Sequence, residues 1–377
     1  MNAIRVAAVD DPGLDWGQRH EAVGRYALAL SRLAPGDILT NARTDFAALQ
    51  LADRAFPVVL PQGRQACWLT SLGVTYGKAA RDEIPREAPG PPGAVLGFAS
   101  RAAEAWVALT RADRLAFVNH LLFSTSLYGD WDGEGLEAAT AALTEAYPDR
   151  AIAWRSLNHA DNPGLIEGLR RLGARLLPSR IVWRIDDPAT QWAARTDVKA
   201  DLLLAEAADL TLEHAFQPSD EVLQRVLALY GEVYLDKYSP ANPTYASAWL
   251  RAAVESGVLD LILARDPNGR IEAFAAEHVY DRLLTGPMLG HDQTRPRELG
   301  LYRIVMSLSV ARAAGEGLKV NYSGGAGRFK RHRGATPEVE YLAVFDRHLP
   351  PWRRLGYVAL AAVLGKLSPA LERIATR

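Results

Sequence analysis

The chain has 377 residues, with a hydrophobic fraction of 49% and a charged fraction of 23%, which is the composition of a soluble globular protein with room for two domains. A formal net charge of −1 argues against a generally basic nucleic-acid binder, and the single cysteine, Cys67, excludes a disulfide framework and Cys/His metal spacings. The start, MNAIRVAAVDDPG, has no apolar stretch behind basic residues, and the late apolar run 355–367 is too short to span a bilayer, so a cytoplasmic protein is expected.

In chain order, residues 18–33 read as a helix with Val23, Tyr26, Ala27 and Leu30 on one stripe. Residues 56–60 read as a short strand, and 87–93, EAPGPPG, as a loop. Residues 116–128 read as a strand followed by the turn GDWDGEG, and 135–147 as a helix stopped by Pro148. A strand (151–157), a helix opened by Pro163 and closed by Gly173, and a strand (175–185) complete the first half. The polar, Ala-rich stretch 186–209 carries a connecting helix. The second half opens on a helix capped by Ser219 or Asp220, then the loop YLDKYSPANP and a helix over 244–256. DPNG joins strands 259–265 and 270–280 in a hairpin, and 284–290 is a third strand. A long helix follows TRPREL with Leu299, Tyr302, Val305, Met306 and Val310 on one stripe. Strands at 318–323 and 338–345 flank a basic loop, and a terminal helix covers much of 352–374. The alternation points to α/β or α+β rather than all-α, and the meander of the second half favours α+β with mixed, mostly antiparallel sheets flanked by helices.

The stretch GGAGRFKRHRGATPEVEYLAVFDRHL carries the most specific signal. Gly324, Arg328, Phe329, Lys330, Gly334, Tyr341, Phe345 and Asp346 match the C-terminal motif of the FemABX-like peptidyltransferases, which have two tandem GNAT-like domains, and the order of elements over 219–350 resembles the GNAT fold. The resemblance implies a GNAT-like domain over 1–190, a helical connector over 191–218 and an acyltransferase domain with its terminal helix over 219–377. It also implies transfer of an acyl or aminoacyl group to an amine. The turn Arg297-Glu298-Leu299-Gly300-Leu301-Tyr302 corresponds to the diphosphate-binding turn of CoA-dependent members, with Tyr302 where those have a small residue.

Acyl transfer to an amine needs a neutral amine, cationic partners for the developing oxyanion and a grip on the donor's phosphates. Lys330, which the resemblance places beside the reacting acyl group, is the first candidate for the oxyanion. Arg328 and Arg333 suit phosphate as planar bidentate donors, Arg295, Arg297 and Gly300 lie at the mouth of the long helix, and Phe329 can stack on an adenine or acyl group. Asp236 can hold a cationic amine, Tyr238 can protonate a leaving group, and His278 is a candidate base. His120 and His159 belong to the half where no chemistry is expected.

Three functions fit. The first is an N-acyltransferase drawing on the phosphopantetheine thioester of acyl-CoA or an acyl-carrier protein, with no metal. The second is an aminoacyl-tRNA-dependent transferase, suggested by 15 Lys and Arg against 6 Asp and Glu over 295–377. The third is a non-catalytic protein that binds an acyl carrier or scaffolds a partner.

Overall fold

A computed structural model describes residues 4–87 and 90–376. Among them, twelve strands form one sheet: β1 (Arg5–Ala7), β2 (Thr44–Gln50), β3 (Ala55–Pro61), β4 (Leu115–Val118), β5 (Ala151–Leu157), β6 (Arg175–Ile185), β7 (Thr211–His214), β8 (Asp260–Arg265), β9 (Ile271–Tyr280), β10 (Leu283–His291), β11 (Lys319–Asn321) and β12 (Thr336–Phe345). Their order across the sheet is β1-β2-β3-β4-β5-β12-β6-β11-β10-β9-β8-β7. Only β4·β5 and β10·β11 run parallel. The fold is α+β, and each half has antiparallel strands followed by one parallel crossover through a helix.

The centre of the sheet is an exchange. The last strand of each half is inserted in the other half: β6 lies beside β11, β12 lies beside β5, and the two pair with each other from Thr336↔Arg184 to Val344↔Arg175. The division expected near residue 190 falls inside the turn Pro188–Trp192, and Ser219 accepts from the Val222 amide at 3.4 Å as the cap expected of it.

Strand alternation separates the two faces. On β5, Ala151 and Ala153 join a core shared by helices from both halves, whereas Ile152 and Trp154 join a core with the helices Leu136–Ala146 and Pro163–Leu172. The shared core binds the halves through buried contacts: Trp249 Nε1 donates to Tyr26 Oη at 2.7 Å and Tyr245 Oη to the Leu122 carbonyl at 2.9 Å. On the other face of the second half, the helix Leu301–Glu316 covers a separate cluster around Ile185, Leu284 and Val320.

Several local expectations change. The strand expected over 116–128 ends at Val118, because Asn119 and Leu122 take left-handed φ of 54° and 58°. Within the loop expected over 87–93, residues 88–89 lie outside the described residues, but one helix ends at Glu87 and another runs from Pro91 to Thr110. That helix is Ala-rich and apolar on most sides, so it offers no stripe to read. The basic loop contains the short helix Gly327–His332. Among the described residues, no helix is long and apolar enough to cross a membrane.

Candidate active site

Parallel pairing of β10 with β11 stops at Thr285↔Asn321, while β10 continues to His291. The break coincides with a bulge: between Thr285 and Met288, β10 gains a residue on β9. Pro287 has no amide to donate to a ladder, which favours the interruption there. β11 instead leads into Tyr322, whose amide donates to the Trp183 carbonyl of β6 at 2.7 Å. A wedge therefore opens between Met288–His291 and Tyr322–Gly324, and the edge of β10 beyond the bulge has no strand on that side. Thr285 is fully buried near the apex, and its hydroxyl has no hydrogen-bond partner among the described residues.

At the mouth of the wedge begins the helix Leu301–Glu316, with Gly300 in left-handed geometry (φ 60°) and no side-chain cap. A Cβ at Gly300 would come within 2.3 Å of Leu204 Cδ2. Aromatic rings gather at the opening. Tyr302 lies 5.0 Å from Phe329 and 6.1 Å from His291, and Tyr234 and Tyr238 stand 6.2 Å apart beside them. Tyr302 stands where a small residue was expected and narrows the mouth.

The residues expected to carry chemistry divide by surroundings. Arg297 and Arg328 are exposed and have no ion-pair partner among the described residues, and they flank the helix mouth from its turn and from the basic helix. Arg295 also lies there but is tied to Glu272 at 3.0 Å. Phe329 packs on Tyr302 and lies under the Arg333 guanidinium, 3.5 Å from its centroid. Arg333, expected on phosphate, is buried instead. It pairs bidentately with Asp201, which also accepts from Arg303 at 2.6 Å, so its fork is turned into the protein. Asp236 and Tyr238 are exposed on the rim, where Arg86 and Lys237 lie 5.0 and 5.7 Å from the Tyr238 ring.

Lys330 points inward. It is 3% exposed, and Nζ donates to the carbonyls of Tyr322 and Gly324 at 2.6 Å each and to that of Ser323 at 3.3 Å. Burial, with a smaller contribution from Arg180, pushes its ammonium down to about 7. Lys330 therefore clamps the wall of the wedge rather than projecting into it. His278, expected as a base, is also buried: Nδ1 donates to the Val258 carbonyl at 2.8 Å, and the ring packs edge-on to Phe123 at 5.6 Å. Burial holds its pKa down at about 4. It pairs across β9 and β10 with Thr285, and its ring belongs to the shared core rather than to the open part of the wedge.

The sequence reading missed His291 at the end of β10, where burial lowers its pKa and Gln293 Nε2 lies 2.9 Å from its ring. It also missed a polar group at the centre of the sheet: Trp68, Arg155, Arg180 and Glu340. Paired Arg180 and Glu340 face each other across β6 and β12, a proximity created only by the exchange.

The halves also correspond in detail. GLRRLGA (168–174) and FKRHRGA (329–335) occupy equivalent places, each ending a helix on a glycine with φ 85°. Gly135 and Gly300 both open a helix with left-handed φ, of 73° and 60°. The first-half turn, Asp130-Trp131-Asp132-Gly133-Glu134-Gly135, is acidic where the second-half turn carries Arg295 and Arg297. Phosphate is favoured only at the second.

No protein-family model and no curated protein matches the chain. Among solved structures, it is similar to FemX (10% identity, 82% of this chain and 90% of that one, TM-score 0.48). It is also similar to a tandem GNAT protein from the clavulanic acid biosynthesis pathway (14%, 90% and 98%, TM-score 0.39). A third is L-PGS from Bacillus licheniformis (14%, 67% and 83%, TM-score 0.44).

Proposed function

We propose that the chain is an N-acyltransferase whose donor site lies in residues 219–377, with residues 1–190 completing the acceptor side of the cleft and 191–218 connecting them. The observation that carries this reading is the wedge between β10 and β11, which opens on an uncapped helix mouth flanked by Arg297 and Arg328. A phosphopantetheine arm suits such a wedge. Its diphosphate would meet the first amides of the helix and the two guanidiniums. Its thioester carbonyl would meet the unpaired edge of β10, whose amides can stabilise an oxyanion. Asp236 and Tyr238 on the rim, with His291 beside them, are the groups available to orient the amine and move its proton.

The shape of the wedge, which suits a narrow arm, favours a thioester of CoA or a carrier protein over aminoacyl-tRNA. Arg295, Arg303, Arg312 and Arg333 are in ion pairs and Lys330 is buried, so a third of the cations in the basic C-terminal segment is turned away from a polyanionic partner. The test is a thermal melt with acetyl-CoA, a longer acyl-CoA and aminoacyl-tRNA as separate additions. A rise in Tm with an acyl-CoA is expected, since a ligand of the native state stabilises by mass action. No response to either acyl-CoA, with salt-sensitive tRNA binding, would reverse the choice of donor.

A further inference from the structure

Cations outnumber carboxylates at the centre of the sheet. Arg180 on β6 pairs with Glu340 on β12 at 2.9 and 3.2 Å, and two further buried cations, Arg155 and Lys330, lie close enough to feel the charge of Arg180. Lys330 has its three carbonyls. Arg155 is 7% exposed, gives one N–H to the Leu69 carbonyl and forms no ion pair with any described residue. Its guanidinium lies 5.1 Å from the centroid of the Trp68 ring and 5.8 Å from that of Phe117. Two aromatic faces return less than the loss of water costs a guanidinium, so a buried arginine is normally matched by an anion.

Beside Arg155 is a recess of about 20 Å³, lined by Ser71, Thr75, Tyr76, Ser156 and Ser179. That volume admits one water-sized group, such as a single oxygen atom. Ser156 also lines a larger cleft of about 230 Å³ whose polar wall includes Ser126, Asn158, Asp161 and Asn162. The serine is shared because Arg155 and Ser156 lie on β5 beyond its last pair with β4, Val118 opposite Trp154, where the two strands part.

We propose that the recess takes one oxygen of a carboxylate through Arg155, so that the acceptor is an amine that also bears a carboxylate, of the amino-acid class, with its body in the larger cleft. This rests on the acyl-transfer reading for the word acceptor, but the binding itself does not. A neutral ligand would leave the guanidinium unmatched. The polar cleft next door supplies the hydrogen bonds that the rest of a small zwitterion needs.

The experiment is a thermal melt and calorimetric titration of the full chain with acetate, L-alanine and L-alaninamide, on the natural protein, Arg155→Met and Arg155→Lys. Acetate and alanine are expected to raise Tm, with alanine binding at least tenfold more tightly than alaninamide. Arg155→Met should abolish the response and, without ligand, melt above the natural protein, because a buried unmatched cation has been removed. Arg155→Lys should fold with a response weakened at least tenfold, since an ammonium on a shorter reach replaces the fork, and it serves as the test if the methionine variant does not fold. Equal binding of alanine and alaninamide, no response to any carboxylate, or an unchanged response in the variants would overturn the proposal. Acetyl-CoA and aminoacyl-tRNA run in parallel separate the two ideas: a carboxylate response without a response to either donor rejects the transferase reading and keeps the site.

Discussion

Lys330 stands in the second half where Leu169 stands in the first. Each lies four residues before a glycine with φ 85°, and each is buried, Leu169 completely and Lys330 to 3% exposure. A core position has thus been given an ammonium, which the carbonyls of Tyr322, Ser323 and Gly324 receive. Leu169 packs an apolar core; Lys330 fixes the wall of the wedge.

The ammonium gives stability a pH dependence. Its folded pKa of about 7 lies below the ordinary lysine value of 10.5, so between those values the unfolded chain binds more protons and stability rises with pH. Urea midpoints should climb from pH 7 to pH 10 in the natural protein and climb less in Lys330→Met. Equal slopes would show that Lys330 is not the group responsible.

At acid pH the buried histidines act. His278 and His20 are both held at about 4, below the ordinary 6.5, so stability is intact above 6.5 and is lost as pH falls from 6.5 toward 4. For His278 the loss amounts to about 3 kcal/mol by pH 4. His278→Phe should flatten this limb of the urea profile, and an unchanged limb would rule the residue out.

Asp201 holds Arg303 and Arg333 in one buried cluster. Asp201→Asn should lower stability by about 3–5 kcal/mol by leaving a buried guanidinium without its counter-charge. A change below about 1 kcal/mol in urea unfolding would mean that Arg333 is free to serve a ligand after all.

The two equivalent glycines should respond unequally to alanine. Gly173→Ala meets the guanidinium of Arg347, which can swing away, so only the left-handed penalty of about 1–2 kcal/mol remains. Gly334→Ala places a Cβ 2.4 Å from the Gln191 carbonyl, which is backbone, and should lower the melting temperature further. Equal losses would contradict the geometry.

Arg297→Ala and Arg328→Ala should each weaken acyl-CoA binding about tenfold, the usual size of one charge-assisted hydrogen bond, and leave urea stability within about 0.5 kcal/mol because both side chains are exposed. Unchanged affinity in both variants would remove the phosphates from this mouth.

Local patterns were readable where one residue type forces the backbone. Pro163 and Gly173 bounded a helix to the residue, and DPNG gave the hairpin in which the Asn268 amide donates to Asp266 Oδ1 at 2.9 Å. In the long helix 301–316, Val305, Met306 and Val310 of the expected stripe are buried, whereas Leu299 precedes the helix and is exposed. The helix Pro91–Thr110 offered no stripe, because its sequence is apolar on most sides and it packs on Val74–Ala79 and Ala80–Glu87 as well as on the terminal helix. Within the candidate site, Arg297, Gly300, Arg328 and Phe329 could be placed from the chain near them. The inward turn of Lys330 and Arg333 could not, because it follows from a six-residue helix that periodicity does not resolve.

The sequence by itself determined most of the elements, the basic character of 328–333 and the α+β class, since these depend on residues close together in the chain. Only the tertiary structure decided which charges face one another. Arg180 meets Glu340 across 160 positions of chain, and Arg333 meets Asp201 across 132. Those encounters exist because β6 and β12 trade places at the centre of the sheet, a pairing set by the burial of whole faces and invisible to any local window.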